Sequence, residues 1–334
     1  MPSLLKSVAN RRGNVNRVEP VSNTKIAITG MALNFPGSGK DVDLLWKNLM
    51  EGMNFSRRVT DRLHFDETFE NVYSNHIHVI DRIEYFDNDF FNISKVEAKT
   101  MDPQHRLALE TAYETLHDAG YDKETLSGKR FGVFVGQCAN DWGCDRHDES
   151  AYNATSTARS ITANHISYCL GLTGPSLSID TACSSSLVSV NSGVQSLRAN
   201  ECEAALVGGV HLNLSYYPYT MLCASRMLSP EGVCKTFDAS ANGYARGDGV
   251  AFILCKRLSD AIKHKDSILG TIEGIGANQD GKSANLTAPN TSAQIEVYKQ
   301  VLKDAKINPK QIGFVATHGT GTTLGDPIEV KSIT

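Results

Sequence analysis

The sequence predicts an α/β protein with largely buried strands. Three observations carry that expectation. Short apolar runs such as 131–136 and 203–210 read as strands buried on both faces. Segments with a helical apolar period fall between them. The chain has 334 residues, enough for two domains or one large α/β unit.

Taken in order, the run 25–33 alternates Ile26 and Ile28 and predicts a strand, broken by Phe35-Pro36-Gly37. Residues 41–51, with Leu44, Leu45, Trp46 and Leu49, predict a helix. Residues 54–92 are mixed and aromatic without a clean period and read as a long decorated loop. Asp102 suits an N-cap and Pro103 the first position of a helix over 103–119. Leu109, Ala112, Leu116 and Ala119 form its stripe, and Gly120 fits its stop. Strands follow at 131–136 and 176–180. A helix at 184–199 is expected to bury Leu187, Val190, Val194 and Leu197. Strands at 203–210, 249–257 and 267–276 come next, with a short helix between the last two. A helix at 292–305 is expected to open on a capping box of Thr291 and Gln294, with Ile295, Tyr298, Leu302 and Ala305 on one face. A strand at 311–317 then runs into a Gly/Thr-rich turn. A strand–turn–helix near 180 and a helix–strand–turn near 318 suggest two related halves.

Composition narrows the function classes. With 33 Lys+Arg against 37 Asp+Glu the net charge is −4, which gives no footprint for nucleic acid. No stretch approaches the roughly 18 consecutive apolar residues of a membrane span. The cysteines at 138, 144, 169, 183, 202, 223, 234 and 255 include no C-x-x-C pair. No secretory signal precedes them, so reduced thiols and a cytoplasmic location are expected. Lys6, Arg11, Arg12 and Arg17 precede the first acid, Glu19. Residues 1–23 therefore read as a solvated arm or linker, with an organellar targeting peptide as the second reading.

Two motifs carry chemistry. In Asp180-Thr181-Ala182-Cys183-Ser184-Ser185-Ser186-Leu187, small residues flank Cys183 between a strand and a helix. They permit a tight turn and close approach of a substrate. The helix N-terminus favours a thiolate, and its free N–H groups can hold an oxyanion. The competing reading is a buried, inert thiol, which is also the reading for the other seven cysteines. In Thr317-His318-Gly319-Thr320-Gly321-Thr322, His318 ends an apolar strand and the glycines let backbone approach a ligand. The hydroxyls of Thr320 and Thr322 suit an amide-rich arm. A histidine satisfied within a turn is the alternative. The third glycine, Gly325, falls one place too late for a dinucleotide fingerprint. No P-loop, H-E-x-x-H, G-x-S-x-G or zinc spacing occurs, so no metal or nucleotide cofactor is expected.

Together these segments resemble the β-ketoacyl synthases, specifically the ketosynthase domains of modular polyketide synthases. Further matches are Met101-Asp102-Pro103-Gln104, Gly208-Gly209-Val210, Phe237-Asp238-Ala239, Gly243-Tyr244-Ala245-Arg246-Gly247-Asp248-Gly249, Asn278-Gln279-Asp280-Gly281, Leu286-Thr287-Ala288-Pro289-Asn290 and Gly325-Asp326-Pro327-Ile328-Glu329. The resemblance covers roughly residues 24–334. It implies a thiolase-like fold of two duplicated α/β halves in α/β/α/β/α layers, usually a homodimer. Residues 24–265 would form the first half and 266–334 the start of the second. It assigns Cys183 as the thiol that takes the acyl chain from an acyl carrier protein, and His318 as a partner in decarboxylating the malonyl unit. Thr320 and Thr322 match positions that hold the phosphopantetheine arm, and no other cofactor is implied. Other synthase domains are further implied partners.

The family's second catalytic histidine lies in a Lys-x-Asn-x-Gly-His segment beyond the glycine-threonine turn, and the chain stops at Thr334 first. The second half is therefore expected to be incomplete, with apolar faces of 292–305 and 311–317 left uncovered. None of His64, His76, His78, His105, His117, His147, His165, His211 or His264 lies in such a context. His105 is expected on a helix surface. A non-condensing relative that only binds a carrier protein or a ketosynthase partner is the alternative function.

Overall fold

The computed structural model describes residues 24–63, 72–138, 141–142, 151–283, 285 and 287–334. The N-terminal arm, Cys144, His64, His147 and Leu286 lie outside the described residues. The first elements are β1 (Ile26–Asn34), α1 (Val42–Met50), β2 (Ser56–Arg58), β3 (His76–His78), α2 (Lys95–Thr100), α3 (Pro103–Asp118), α4 (Lys123–Leu126) and β4 (Phe131–Gly136). The middle of the chain adds α5 (Asn153–Ser156), α6 (Arg159–Leu170), β5 (Ser176–Ile179), α7 (Ser185–Arg198), β6 (Ala204–His211), α8 (Tyr217–Ala224), β7 (Gly249–Arg257), α9 (Leu258–His264) and β8 (Gly270–Ile272). Helices α10 (Thr291–Ala305) and α11 (Gly325–Ile333) follow.

Six strands form one mixed sheet in the order β5-β4-β6-β7-β1-β8. β4 runs parallel to β5 and β6, and the remaining neighbours are antiparallel. Side chains alternate between two cores, as a period of two requires. Val133, Val135, Leu206, Phe252 and Leu254 pack with Leu109, Ala112 and Leu116 of α3 on one face. Phe134, Ala205 and Val207 pack with Val194 and Leu197 of α7 on the other. The unit is a helix–sheet–helix sandwich with the ends of β4, β5 and β6 sharing one rim.

The sequence places most of these elements correctly, including the Asp102 cap, whose carboxylate accepts from the Gln104 N–H at 2.8 Å. Several expectations are corrected. The 54–92 stretch is not all loop: β2 and β3 pair antiparallel, with Ser56 opposite His78. Three-residue strands in which only Ile77 of β3 is buried offer no period to detect. Leu187 is 71% exposed. Val194 and Leu197 are buried as expected, and the rest of the buried face of α7 is small residues, Ser185, Ser189, Gly193 and Ser196, which let the helix lie close to the sheet. Helix α10 opens on Asn290, not on a Thr291 box, because the Asn290 carboxamide accepts from Ser292 and Ala293. The expected strand 311–317 does not form: Gln311 ends a 3-10 turn (Pro309–Gln311), 312–317 pairs with no described strand, and Phe314 is 85% exposed. Only Gly270–Ile272 of the expected 267–276 strand joins the ladder. His105 is fully buried, edge-on to His165 with ring centroids 5.3 Å apart.

Candidate active site

Cys183 sits where β5 turns into α7. Ala182 before it has φ +55°, a left-handed conformation that costs a non-glycine residue energy. The turn is held by short bonds. Asp180 accepts from the Ala182 N–H at 3.1 Å and pairs with Arg159. Ser185 Oγ donates to the Ala182 carbonyl at 2.7 Å and accepts from the Thr181 N–H at 2.9 Å. Two strand ends receive the helix start. A Cβ on Gly136 would lie 2.5 Å from the Ser185 carbonyl carbon, and one on Gly209 would lie 2.8 Å from Ser186 Cβ. Ser189 Oγ donates to the Gly208 carbonyl at 2.7 Å. The result is a fixed, exposed thiol immediately before the N-cap of α7.

His318 is held differently. Its N–H and that of Gly319 donate to the two oxygens of Glu329, at 2.6 and 2.8 Å. Asp326 is buried and accepts from Phe237, Gly321 and Thr322 at 2.8, 3.1 and 3.4 Å. Both carboxylates come from α11, so that helix pins the turn to the 234–237 segment. Gly319 and Gly321 have φ +49° and +74°, and a Cβ on either would strike Thr236 or the Lys235 nitrogen at 2.7 Å. Thr320 Oγ1 and Thr322 Oγ1 lie 3.2 Å apart, and Thr322 Oγ1 also accepts from the Gly325 N–H at 3.1 Å.

The two halves of the site meet at sulfur. A hydrogen bond from His318 holds the Cys183 thiol below its ordinary value, and the Cys183 and Ser184 amides act in the same direction. Reciprocally, the bond to Cys183 raises the imidazole, with Glu329 and Asp326 adding to it. Both shifts favour a thiolate–imidazolium pair. Burial does the opposite elsewhere, pushing Cys169 up to about 11 and Cys255 up to about 12. Not every other cysteine is buried as expected: Cys138 and Cys234 are exposed.

All four sequence candidates thus fall in one neighbourhood. Asp326 and Glu329 are the residues sequence reasoning did not single out for a role. Their signal was two acids three apart, at the start of a helix that follows a turn rich in unpaired N–H groups. Among the described residues no cluster suits a metal, and no helix is long and apolar enough to cross a membrane.

The family model for the beta-ketoacyl synthase N-terminal domain matches residues 23–261, and that for its C-terminal domain matches residues 269–334. Polyketide synthase PksL of Bacillus subtilis (strain 168) is 42% identical over 316 residues, 92% of this chain and 7% of its own length. Orsellinic acid synthase armB of Armillaria mellea is 41% identical over 319 residues, 92% of this chain and 14% of its own. The solved ketosynthase from module 6 of the bacillaene synthase of Bacillus subtilis 168 superposes with a TM-score of 0.85 at 40% identity, covering 92% of this chain and 53% of that one. The chain therefore spans about half of that structure and a small fraction of the curated relatives.

Proposed function

The chain belongs to the β-ketoacyl synthase family, with the thiolase-like fold of its structural neighbours, and from that premise we propose that it supplies the condensing site of a polyketide synthase. The Cys183 thiolate attacks an acyl thioester and expels the carrier thiol, leaving the chain on Cys183. A malonyl thioester then loses CO₂. Its enolate carbon attacks the Cys183 thioester, the Cys183 thiolate leaves, and a 3-oxoacyl thioester forms. His318 donates to the enolate oxygen or carries the proton, a role suited to an imidazole that already hydrogen-bonds the nucleophile. The adjacent hydroxyls of Thr320 and Thr322 would receive the amides of a phosphopantetheine arm on an acyl carrier protein.

The observation that carries this reading is the exposed Cys183 thiol just before α7, lowered from its ordinary value chiefly by His318. The relatives' length, several-fold that of this chain, supports carrier and other synthase domains as partners. A homodimer is supported by β5, which stands at the sheet edge with Leu177 49% exposed, open to a strand from a second copy. The test is intact-mass and peptide mapping after incubation with an acyl thioester, followed by measurement of CO₂ release from a malonyl thioester. Acylation at Cys183 with CO₂ release is expected. An acyl group on another cysteine would overturn the assignment. Carrier-protein binding without CO₂ release would leave the non-condensing alternative.

A further inference from the structure

Helix α7 is linked to the histidine-bearing segment at both of its ends. At its start, Cys183 and His318 shift each other's titration. At its end, Arg198 Nη2 pairs with Asp304 Oδ2, in the last turn of α10, at 2.9 Å. The Arg198 side chain is 8% exposed and that of Asp304 26%. Asp304 Oδ2 also accepts from the Ile275 N–H at 3.4 Å. Ile272 and Ile275 pack against the core that includes Val194 and Leu197 of α7. A Cβ on Gly274 would lie 2.6 Å from the Val301 carbonyl oxygen, so α10 rests directly on this same segment. The ion pair closes the place where α7, residues 272–275 and α10 come together.

Little else ties α10 down. It has no buried residue. Among the described residues its other ion pair, Lys299 with Glu296 at 3.6 Å, lies within the helix itself. β8 adds only three residues at the sheet edge. Helix α10 in turn packs on α11, and the Tyr298 phenol of α10 feels the Glu329 carboxylate of α11. Glu329 is the group that receives the His318 and Gly319 N–H bonds. A path of contacts thus runs from the end of α7 through α10 and α11 to the histidine that acts on the thiol at its start. Removing one member of so enclosed a pair strands the other charge, and the geometry the pair fixed relaxes.

We propose that Arg198 is a positioning residue of the condensing site: paired with Asp304, it fixes α10 and α11, and through Glu329 the imidazole of His318, relative to the Cys183 thiol. At 1.5 Å per residue, Arg198 lies about 20 Å along α7 from Cys183, so it acts only through His318. This rests on the condensing-site reading above, because it concerns the cysteine–histidine couple which that reading uses.

The test is the pH midpoint of Cys183 alkylation by iodoacetamide in the full chain, read by peptide mass mapping. Arg198→Met is expected to raise the midpoint by about half a pH unit or more, and so to slow alkylation at neutral pH about threefold. Arg198→Lys keeps the charge and should recover part of the difference. In a His318→Asn background, Arg198→Met should move the midpoint no further, a result that general loosening of the fold would not produce. Asp304→Asn can still accept from Ile275 and should reproduce the shift; it takes the place of Arg198→Met where that variant does not fold. An unchanged midpoint in folded Arg198→Met or in Asp304→Asn would overturn the proposal, as would a further shift on top of His318→Asn. If His318→Asn alone leaves the midpoint where it was, the condensing-site reading fails first and takes this inference with it.

Discussion

Cys183 and His318 shift each other's titration, yet the two regions that hold them are built on different physics. Cys183 rides on α7, wedged by a small-residue face against the glycine ends of β4 and β6, next to a core in which Val194, Leu197, Phe134 and Val207 are almost fully buried. His318 belongs to a segment in which α10 has no buried residue and 312–316 is exposed. Its turn is instead fixed by five N–H bonds to the two carboxylates of α11. Packing positions the nucleophile and hydrogen bonds position its partner. Damage to one side should read out mainly in stability, and damage to the other mainly in chemistry.

The contrast can be broken in steps. Cys183→Ala should abolish acyl loading, a loss on the order of 10³-fold or more in rate, with unfolding in urea unchanged. Gly136→Ala should be the packing-side lesion. Its Cβ would overlap the Ser185 carbonyl, so a loss of about 1–3 kcal/mol in urea unfolding is expected, with slower loading as a consequence. Asp326→Asn should be the hydrogen-bond-side lesion. It removes the charge that three N–H groups share, and about a tenfold slower loading is expected with a small change in melting temperature. If Asp326→Asn instead unfolds the protein while Gly136→Ala is silent, the division of labour is reversed.

The smallest effect is in the pH dependence of stability. Burial holds His105 neutral, its value pushed down to about 3, so below its ordinary 6.5 the unfolded chain binds the extra proton. Stability from this group is complete above 6.5 and falls as pH drops, by about 1.4 kcal/mol per unit. Asp102 acts oppositely. Burial raises it to about 6, so between 6 and 3.8 the folded protein holds the extra proton and gains stability as pH drops. Urea unfolding of the natural protein should therefore vary weakly between pH 6 and 4. Asp102→Asn should uncover the steeper acid loss due to His105, and a flat profile in that variant would contradict this account.

The main sheet and its two large flanking helices were legible because their patterns are simple. The alternating faces of β4 and β6 and the Asp102-Pro103 opening of α3 follow directly from local chemistry. Helix α6 was not, because Thr162 and His165 stand among its buried residues and blur the apolar period. The face of α7 was misread only at its start, where small residues such as Ser185 and Ser189, not Leu187, meet the sheet ahead of the expected Val194 and Leu197. At the site, Cys183 and His318 could be picked out by their flanking residues. Asp326 and Glu329 could not be given roles, because their partners are backbone N–H groups on another turn, a relation that only the folded chain brings about.

The central claim is that His318 makes Cys183 reactive across this boundary between packing and hydrogen bonding. Its most direct test is the pH profile of Cys183 alkylation by iodoacetamide, in the natural protein and in His318→Asn. The natural protein should show a midpoint below the ordinary thiol value of 9.0, and the variant a midpoint moved upward, toward or above it. Coincident profiles would mean that the imidazole does not activate the thiol, and the account of this site would be wrong.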